Sequence, residues 1–218
     1  MIRIFLLLLF FTCLVPACLQ ADEWWAWSTL EFIHEPPWTA GLFLGHRFDD
    51  ADAFTSLIIS PRVRYELTPW LDAGLGLSLL NIANTHTSEH HLQGRPELEL
   101  DPKFNLTKHL RLDLRNRLEW RMNEDQSLTT SRARHRAQLA WTFPHSLGPW
   151  SRVFVSNEFL IDLHSEVWTE NRCVPLGLTF KTGPRSDLDL FYMILSTRRP
   201  HADWLYESVL GTYLRVKF

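Results

Sequence analysis

Arginines and acidic residues recur at every second position in the middle of this chain. The run Arg115-x-Arg117-x-Glu119-x-Arg121 precedes Arg132-x-Arg134-x-Arg136. Guanidinium groups bind carboxylates and phosphates through paired, charge-assisted hydrogen bonds. Two hypotheses follow: an anion site built from these arginines, or ion pairs in which acids on neighbouring segments neutralise them. The acids available for such pairs include Asp113, Glu97, Glu99 and Glu158.

Serine and histidine also occur close together, which is the combination that a lipid hydrolase needs for its nucleophile and its general base. Two such groups are present: His145-Ser146 with Ser151, and His164-Ser165 with Asp162 and Glu166. Adjacent serine and histidine in a loop commonly have no catalytic role. We therefore assign no catalytic residue and keep lipid hydrolysis as an alternative function.

The segment His86-Thr87-Ser88-Glu89-His90-His91 carries imidazoles that could bind a transition metal. A polar loop of this composition is more often only solvated, and the sequence shows no ordered ligand set. We therefore predict no metal site and no cofactor. The thiol of Cys173 is predicted to face inward and to be inert.

Strands are the elements that position the charged residues. In residues 110–122 the leucines, a tryptophan and a methionine occupy one parity, and arginines and acids occupy the other. Only Asn116 departs from this pattern. The same alternation recurs in residues 55–67 and 97–106. A helix would mix the two sets on each of its faces, so the pattern predicts strands with one charged and one apolar face.

Extending this reading along the chain gives eleven candidate strands. They are residues 23–34, 38–48, 55–67, 70–83, 97–106, 110–122, 130–143, 150–163, 171–182, 187–196 and 207–218. Short connections alternate with longer polar ones. Because bacterial single-chain barrels usually have an even number of strands, we expect either that residues 23–34 are not a full strand or that one segment contains two.

The N-terminus and the composition restrict where this protein functions. Residues 1–21 combine a cationic start, a short apolar run and a small residue before Asp22, which predicts a secretory signal cleaved after Ala21. Lipidation at Cys18 is the alternative. The 218 residues include 22 Lys plus Arg and 25 Asp plus Glu. Nucleic-acid binders are usually basic, so we predict no nucleic-acid partner.

Four features favour a barrel whose apolar face contacts lipid. The strands are long, the loops alternate in length, and the chain finishes as an alternating strand, Leu210-x-Thr212-x-Leu214-x-Val216-x-Phe218. Aromatic residues also gather where strands end, as membrane interfaces favour: Trp38, Trp70, Phe143, Trp150, Phe180 and Phe218 at the short connections, with Phe48 and Trp120 at the other end. We therefore predict an all-β fold: residues 22–218 form one antiparallel up-and-down transmembrane β-barrel of about 10–12 strands with a charged lumen.

Charged residues on the inward face should then form a network within the lumen. Its predicted members are Arg62, Arg64, Glu66, Glu97, Glu99, Asp101, Asp113, Arg115, Arg117, Glu119, Arg121, Arg132, Arg134, Arg136 and Glu158. Buried charges need partners of opposite sign. At the hairpin around Thr107 we therefore predict the register that sets Glu99 opposite Arg117, Asp101 opposite Arg115 and Lys103 opposite Asp113. Small residues at Gly74 and Gly76 are predicted to relieve crowding there.

The arginine runs, together with Asn157-Glu158 and Asn171-Arg172, resemble an uncharacterised bacterial outer-membrane barrel family known only as a domain of unknown function. The resemblance implies a Gram-negative exported barrel and implies no activity. Asn157 departs from simple alternation because it falls on the apolar face, which puts in question the register there or the absence of a bulge.

The function predicted from these observations is that of a small outer-membrane barrel with a structural, binding or transport-accessory role. Its expected partners are outer-membrane lipids and the outer-membrane assembly machinery, whose recognition signature the terminal Phe218 resembles. Two alternatives remain: the lipid hydrolase, and a soluble periplasmic barrel that binds an apolar ligand inside while its charged ladders face water.

Overall fold

The computed structural model describes residues 21–49, 54–83, 89–124, 129–147, 149–199 and 203–218. The predicted signal sequence, including Cys18, lies outside the described residues except for Ala21. The first part of the histidine-rich loop, residues 86–88, also lies outside them, as do the side chains of His145 and Ser146. Among the described residues, no helix is long and apolar enough to cross a membrane.

The described chain forms a closed, all-β barrel of eleven strands. Their bounds are β1 Glu23–Glu35, β2 Trp38–Asp49, β3 Phe54–Thr68, β4 Leu71–Ala83, β5 His90–Asn105, β6 Leu110–Asn123, β7 Thr130–Leu147, β8 Trp150–Asp162, β9 Val167–Gly183, β10 Ser186–Arg198 and β11 Trp204–Lys217. Each strand pairs with its neighbours in sequence, and β1 pairs with β11 to close the barrel. The fold class expected from the alternation is therefore observed.

The closing pair is parallel, unlike every other pair described in the barrel. Its register runs from Glu23 opposite Val209 to Glu31 opposite Lys217. In an up-and-down barrel with an odd number of strands, the first and last strands run in the same direction, so they can only meet in parallel. The expectation of an even count is wrong: β1 is a full strand with two partners, and no predicted segment divides into two.

The hairpin between β5 and β6 has the predicted register. Glu99 lies opposite Arg117 and Lys103 lies opposite Asp113. Pairing runs in the same register at Gln93 and Asn123 near the other end of the hairpin. The pairs at Glu99 and Lys103 bring opposite charges together on the inward face. The same register sets Glu97 opposite Glu119, and Arg117 lies within 3.1 and 3.6 Å of these two acids.

A bulge in β9 changes which parity faces inward. Phe154 pairs with Gly177 and Ser156 pairs with Val174, so β9 has one more residue than β8 over this interval. Before the bulge Arg172 and Val174 are buried inward, which places Cys173 on the outer face. The prediction that Cys173 faces inward is wrong because it follows the parity of the residues beyond the bulge.

Asn157 lies on the outer face, and its strand β8 has no bulge that would place it there. Pairing between β7 and β8 is unbroken from Arg132 opposite Asp162 to Thr142 opposite Arg152. The side-chain amide of Asn171 donates to Oδ1 of Asn157 over 2.6 Å. A comparable pair joins Nδ1 of His135 to Oδ1 of Asn116 over 2.9 Å. Outward polar side chains on β6 to β9 thus hydrogen-bond to one another.

The lumen contains two different kinds of side chain. Charged side chains that point inward from β3 to β9 form one surface, which we call the ionic wall. Rings that point inward from β1, β2, β8, β10 and β11 form a second surface, which we call the aromatic wall: Trp25, Trp27, Phe43, Phe154, Phe191 and Tyr213. The prediction that polar side chains alone fill the lumen is therefore incomplete, because rings fill part of it. An inverted barrel with its charged ladders facing water is wrong, because the ladders face the lumen.

Candidate functional site

The ionic wall is organised around two acids that each receive two arginines. Oε1 of Glu119 accepts from Nη1 of Arg134 over 2.7 Å, and Oε2 accepts from Nη2 of Arg132 over 2.8 Å. Arg134 also donates to Glu158 over 2.9 Å, and Glu158 accepts from Arg115 over 2.7 Å. Arg134 therefore bridges the two acids in a continuous chain of charge-assisted hydrogen bonds.

A second set of ion pairs extends this chain toward β3. Nη1 of Arg117 lies 3.1 Å from Oε2 of Glu97, which is 3.0 Å from Nη2 of Arg62. Arg117 also contacts Glu99. The side chains of Glu119, Glu97 and Arg117 are 0%, 2% and 3% exposed. We call the whole set the ion-pair layer, and it comprises Arg62, Glu97, Glu99, Arg115, Arg117, Glu119, Arg132, Arg134, Glu158, Glu170 and Arg172.

This geometry distinguishes the two hypotheses for the arginine ladders. Acids one or two strands away neutralise Arg115, Arg117, Arg132 and Arg134. Among the described residues Arg136 and Arg121 have no ion pair within 4.0 Å, and Nε of each is buried without a hydrogen-bond partner. Most of the ladder is therefore internally compensated, while a small part keeps free donor capacity.

Strand β4 makes room for the ion-pair layer by placing glycines on its inward face. A Cβ added to Gly76 would lie 3.3 Å from Cγ of Arg62 and 3.3 Å from Oε2 of Glu97. One added to Gly74 would lie 3.5 Å from Cβ of Glu99. The long side chains of β3 and β5 thus occupy space that any larger residue would reduce, which agrees with the crowding predicted from the sequence.

A cavity of about 330 Å³ lies beside the ion-pair layer, in the half of the barrel that has the shorter connections. We call it the lumenal chamber. Ionic-wall residues on one side include Arg64, Asp101, Arg115 and Arg136. On the other side it is bounded by aromatic-wall residues, which are Trp27, Phe43, Phe154, Phe191 and Tyr213.

The remaining predicted network residues lie around the mouth of this chamber. Nζ of Lys103 is 2.6 Å from Oδ1 of Asp72 and 3.8 Å from Glu66. Arg111 pairs with Asp113 over 2.5 Å. The side chains of Arg111 and Glu66 are 48% and 45% exposed. The chamber is therefore open at the short-connection end and closed by the ion-pair layer at its other end.

The aromatic wall is the part of the site that the sequence analysis missed. Phe191 lies over Gly211, where an added Cβ would be 2.0 Å from Cζ of the ring, and Phe154 covers Gly177 in the same way at 2.2 Å. Rings packed on glycines of a neighbouring strand are a known device for stabilising curved sheets. The available signal was parity, because Phe191 continues the inward face of Asp187 and Asp189 on β10.

Arginines from the ionic wall meet the aromatic wall at its edges. Cζ of Arg62 lies 5.0 Å from the ring centroid of Phe43, and Cζ of Arg172 lies 4.9 Å from that of Trp25. These distances suit cation–π attraction. The two walls therefore form one continuous filling of the lumen with no polar gap between them at these two positions.

The serine and histidine groups do not form a catalytic arrangement in the described residues. Oδ1 of Asp162 accepts hydrogen bonds from the backbone N–H groups of His164 and Ser165 over 3.0 and 2.8 Å. It also accepts from the Ser165 hydroxyl over 2.9 Å. Asp162 thus orders a turn, and the Ser165 hydroxyl is directed to the carboxylate. Ser151 donates to the carbonyl of Thr179 over 3.2 Å.

The described residues contain no group of three His, Cys, Asp or Glu side chains placed to hold a metal ion. Within the described end of the histidine-rich segment, Nδ1 of His90 lies 3.1 Å from Oδ1 of Asn81. This contact joins β5 to β4, so His90 takes part in strand pairing at the barrel rim.

The fold and the site define this protein as a closed β-barrel whose lumen holds a layer of ion pairs and a chamber beside it. Residues 24–206 match the family described as "Protein of unknown function (DUF2490)". The chain belongs to this family, and the resemblance inferred from the arginine ladders is confirmed. No curated protein matches the chain.

One solved structure that the chain matches is an anion-selective porin from Comamonas acidovorans. The sequence identity is 15%, the TM-score is 0.42, and the alignment covers 84% of this chain and 54% of the porin chain. This chain therefore spans about half the length of that porin.

Proposed function

We propose that this protein spans the bacterial outer membrane as a barrel that does not conduct ions freely and that has a binding or transport-accessory role. The observation that carries the proposal is the apolar outer surface. Large aliphatic side chains around the middle of the barrel are 37–60% exposed: Ile59, Leu75, Leu77, Leu79, Leu98, Leu100, Leu139, Val155, Leu176 and Ile194. Soluble monomers rarely expose contiguous apolar surface of this extent.

Aromatic pairs at both rims support a membrane location. At the short-connection rim the rings of Trp38 and Tyr65 are 4.7 Å apart, and the Trp150 and Phe180 rings are 4.2 Å apart. At the opposite rim Trp168 lies 5.3 Å from Trp204. Tryptophan and tyrosine favour the interfaces on the two sides of a bilayer. The aliphatic band between these rims would then contact the lipid chains.

The ion-pair layer argues against a general porin. Its central side chains are almost completely buried, and each carboxylate has guanidinium partners. An open water column would separate these pairs and hydrate the charges. A small barrel filled by long side chains has little space for such a column. The role supported best is therefore one that uses the lumen as a binding space.

The first test is fractionation of the expressed full chain, followed by gel mobility in detergent with and without boiling. We expect an outer-membrane band whose mobility changes on boiling. In planar bilayers, we expect the purified barrel to give far smaller conductance than a general porin. A soluble periplasmic band would overturn the membrane location, and stable large channels would overturn the closed lumen.

Assembly into the membrane offers a further test of the same proposal. The side chain of Phe218 is 56% exposed, and its ring stacks on Phe32 at 5.6 Å outside the barrel. We expect Phe218→Ala to reduce the assembled, heat-modifiable fraction while the refolded barrel keeps its stability, because the ring contributes little burial. Equal assembly of the variant and the wild type would remove Phe218 as a recognition feature.

Export is tested by sequencing the mature N-terminus. Cleavage after Ala21 predicts Asp22 as the first residue. A lipidated Cys18 at the N-terminus would instead support the alternative signal.

A further inference from the structure

We infer that the lumenal chamber binds a small carboxylate with an aromatic body, which enters from the short-connection end. This inference rests on the binding role proposed above and names its ligand class. The cavity of about 330 Å³ lies within the size range of small-molecule sites. Its two unlike sides, one of rings and one of guanidinium groups, are the basis for the assignment.

The ionic side of the chamber keeps donor capacity that the protein itself does not use. Arg136 lines the chamber and has no ion pair within 4.0 Å among the described residues. Its Nε and that of Arg115 are buried without hydrogen-bond partners. Arg64 is 44% exposed and lies 3.9 Å from Asp101, a weak contact. These three arginines can donate to a ligand carboxylate without breaking a close ion pair within the protein.

The charge balance of the chamber also favours an anion. Its lining includes nine Lys or Arg side chains and seven Asp or Glu side chains. Asp101 also lines the chamber, 3.9 Å from Arg64, and its Oδ1 is buried without a hydrogen-bond partner. A ligand with one carboxylate and a hydroxyl group on its ring could satisfy both Arg136 and Asp101.

The aromatic side selects for a flat apolar body. Trp27 lies 6.2 Å from Phe43 and 6.1 Å from Tyr213, measured between ring centroids, so three rings face one space. Ring faces and edges pack favourably against an aromatic ligand. A simple inorganic anion would contact only the guanidinium side and would leave these rings in contact with water.

The position of the chamber determines how the ligand enters. The ion-pair layer closes the long-connection end, where Glu119 is 0% exposed, while the mouth residues are nearly half exposed. A ligand therefore enters and leaves at the same end of the barrel. In the outer membrane the short turns of such barrels lie on the periplasmic side.

Calorimetric titration of the folded full chain in detergent with 1-naphthoate tests the inference. We expect saturable binding of one ligand per barrel after subtraction of a titration into empty micelles. Arg136→Gln should weaken binding about 10- to 100-fold, because a hydrogen bond to a charged group is lost. Arg136→Lys should restore part of the affinity by returning the charge.

Arg121→Gln is the matched control. Like Arg136, Arg121 is an arginine whose Nε is buried without a hydrogen-bond partner, but it lies on β6 and does not line the chamber. We expect this variant to bind like the wild type. Phosphate has the charge without the ring, and 1-naphthalenemethanol has the ring without the charge. Each should bind at least about tenfold more weakly than 1-naphthoate, since each loses one side of the site.

Heat-modifiable mobility shows that each variant is folded before it is titrated. Equal affinity in folded Arg136→Gln and wild type would overturn the inference, and so would phosphate binding as tight as that of naphthoate. If the barrel is found in the outer membrane but does not bind naphthoate, this inference fails while the proposed function stands. If the barrel is soluble, the membrane proposal fails and the titration still reports on the chamber.

Discussion

The two walls of the lumen fill the same barrel by different physical means. In the ionic wall, most buried charges depend on specific partners at hydrogen-bond distance, as Glu119 depends on Arg132 and Arg134. In the aromatic wall, rings fill space and the neighbouring strand supplies glycines beneath them, as Gly211 does for Phe191. The ionic wall should therefore be intolerant of lost charge, and the aromatic wall should be intolerant of added volume.

The largest effect is expected where one acid supports several arginines. Glu119→Gln removes the carboxylate that the buried Arg132 and Arg134 share and leaves them, among the described residues, only Glu170 at 3.8 Å and Glu158 at 2.9 Å. This loss of charge compensation should destabilise the barrel by about 3–5 kcal/mol. Urea unfolding in detergent, followed by tryptophan fluorescence, measures this change. Glu66→Gln at the exposed mouth is the control and should cost less than about 1 kcal/mol. Similar losses for both variants would show that the buried pairs have no special role.

A smaller effect is expected in the aromatic wall. Gly211→Ala places a methyl group 2.0 Å from Cζ of Phe191, and the resulting overpacking should cost about 1–3 kcal/mol. Adding Phe191→Leu should recover part of this loss, because the smaller side chain can move away. Gly94→Ala, where the nearest atom is Cε of Met122 at 3.8 Å, should have little effect. An additive double variant would contradict ring-over-glycine packing.

The outer surface provides a reference for the energetic cost of substitutions in both walls, since its polar pairs do not contact the lumen. Asn157→Val removes the side-chain acceptor of Asn171 and should cost about 0.5–1.5 kcal/mol. The double variant with Asn171→Val should cost less than the sum of the two single changes, because no amide is then left without its partner. Strict additivity in unfolding experiments would show that the pair does not contribute.

The smallest effect is expected for a polar contact between the aromatic wall and Thr29, which links β11 to β1. The hydroxyl groups of Tyr213 and Thr29 are 2.8 Å apart. Tyr213→Phe keeps the ring and should cost less than about 1 kcal/mol. A loss as large as that for Glu119→Gln would mean that the aromatic wall also depends on specific polar partners, which would remove the contrast between the walls.

Much of the barrel could be predicted from alternation, and the exceptions have physical causes. The charged parity of β6 located the ionic wall because arginine and glutamate occur on only one face there. In β1, by contrast, Trp24 and Trp25 are adjacent, so both faces carry rings and parity cannot tell lumen from lipid. The bulge after Val174 inverted the parity of β9, and Pro175, a residue that strand interiors accept mainly at bulges, was the sequence signal that could have located it.

The ion-pair partners were predictable in register but not in detail. Asp101 and Arg115 share the predicted register, yet Arg115 pairs with Glu158 two strands away and Asp101 lies near Arg64. Long guanidinium side chains reach across a narrow lumen to any suitable carboxylate, so opposition on adjacent strands is only one of several solutions. The parallel contact of β1 with β11 joins the two ends of the sheet and has no counterpart in local sequence.

The parallel closure also places the start of the first strand and the end of the last strand at opposite rims of the barrel. Strand β1 begins at Glu23, opposite Asp49 at the long-connection rim, whereas β11 ends at Lys217, which donates its backbone N–H to the carbonyl of Arg185 at the short-connection rim. If the barrel spans the outer membrane as proposed, with its short connections on the periplasmic side, an epitope tag placed just before β1 would be accessible to antibodies on intact cells. A tag placed after β11 would then be accessible only once the outer membrane is opened.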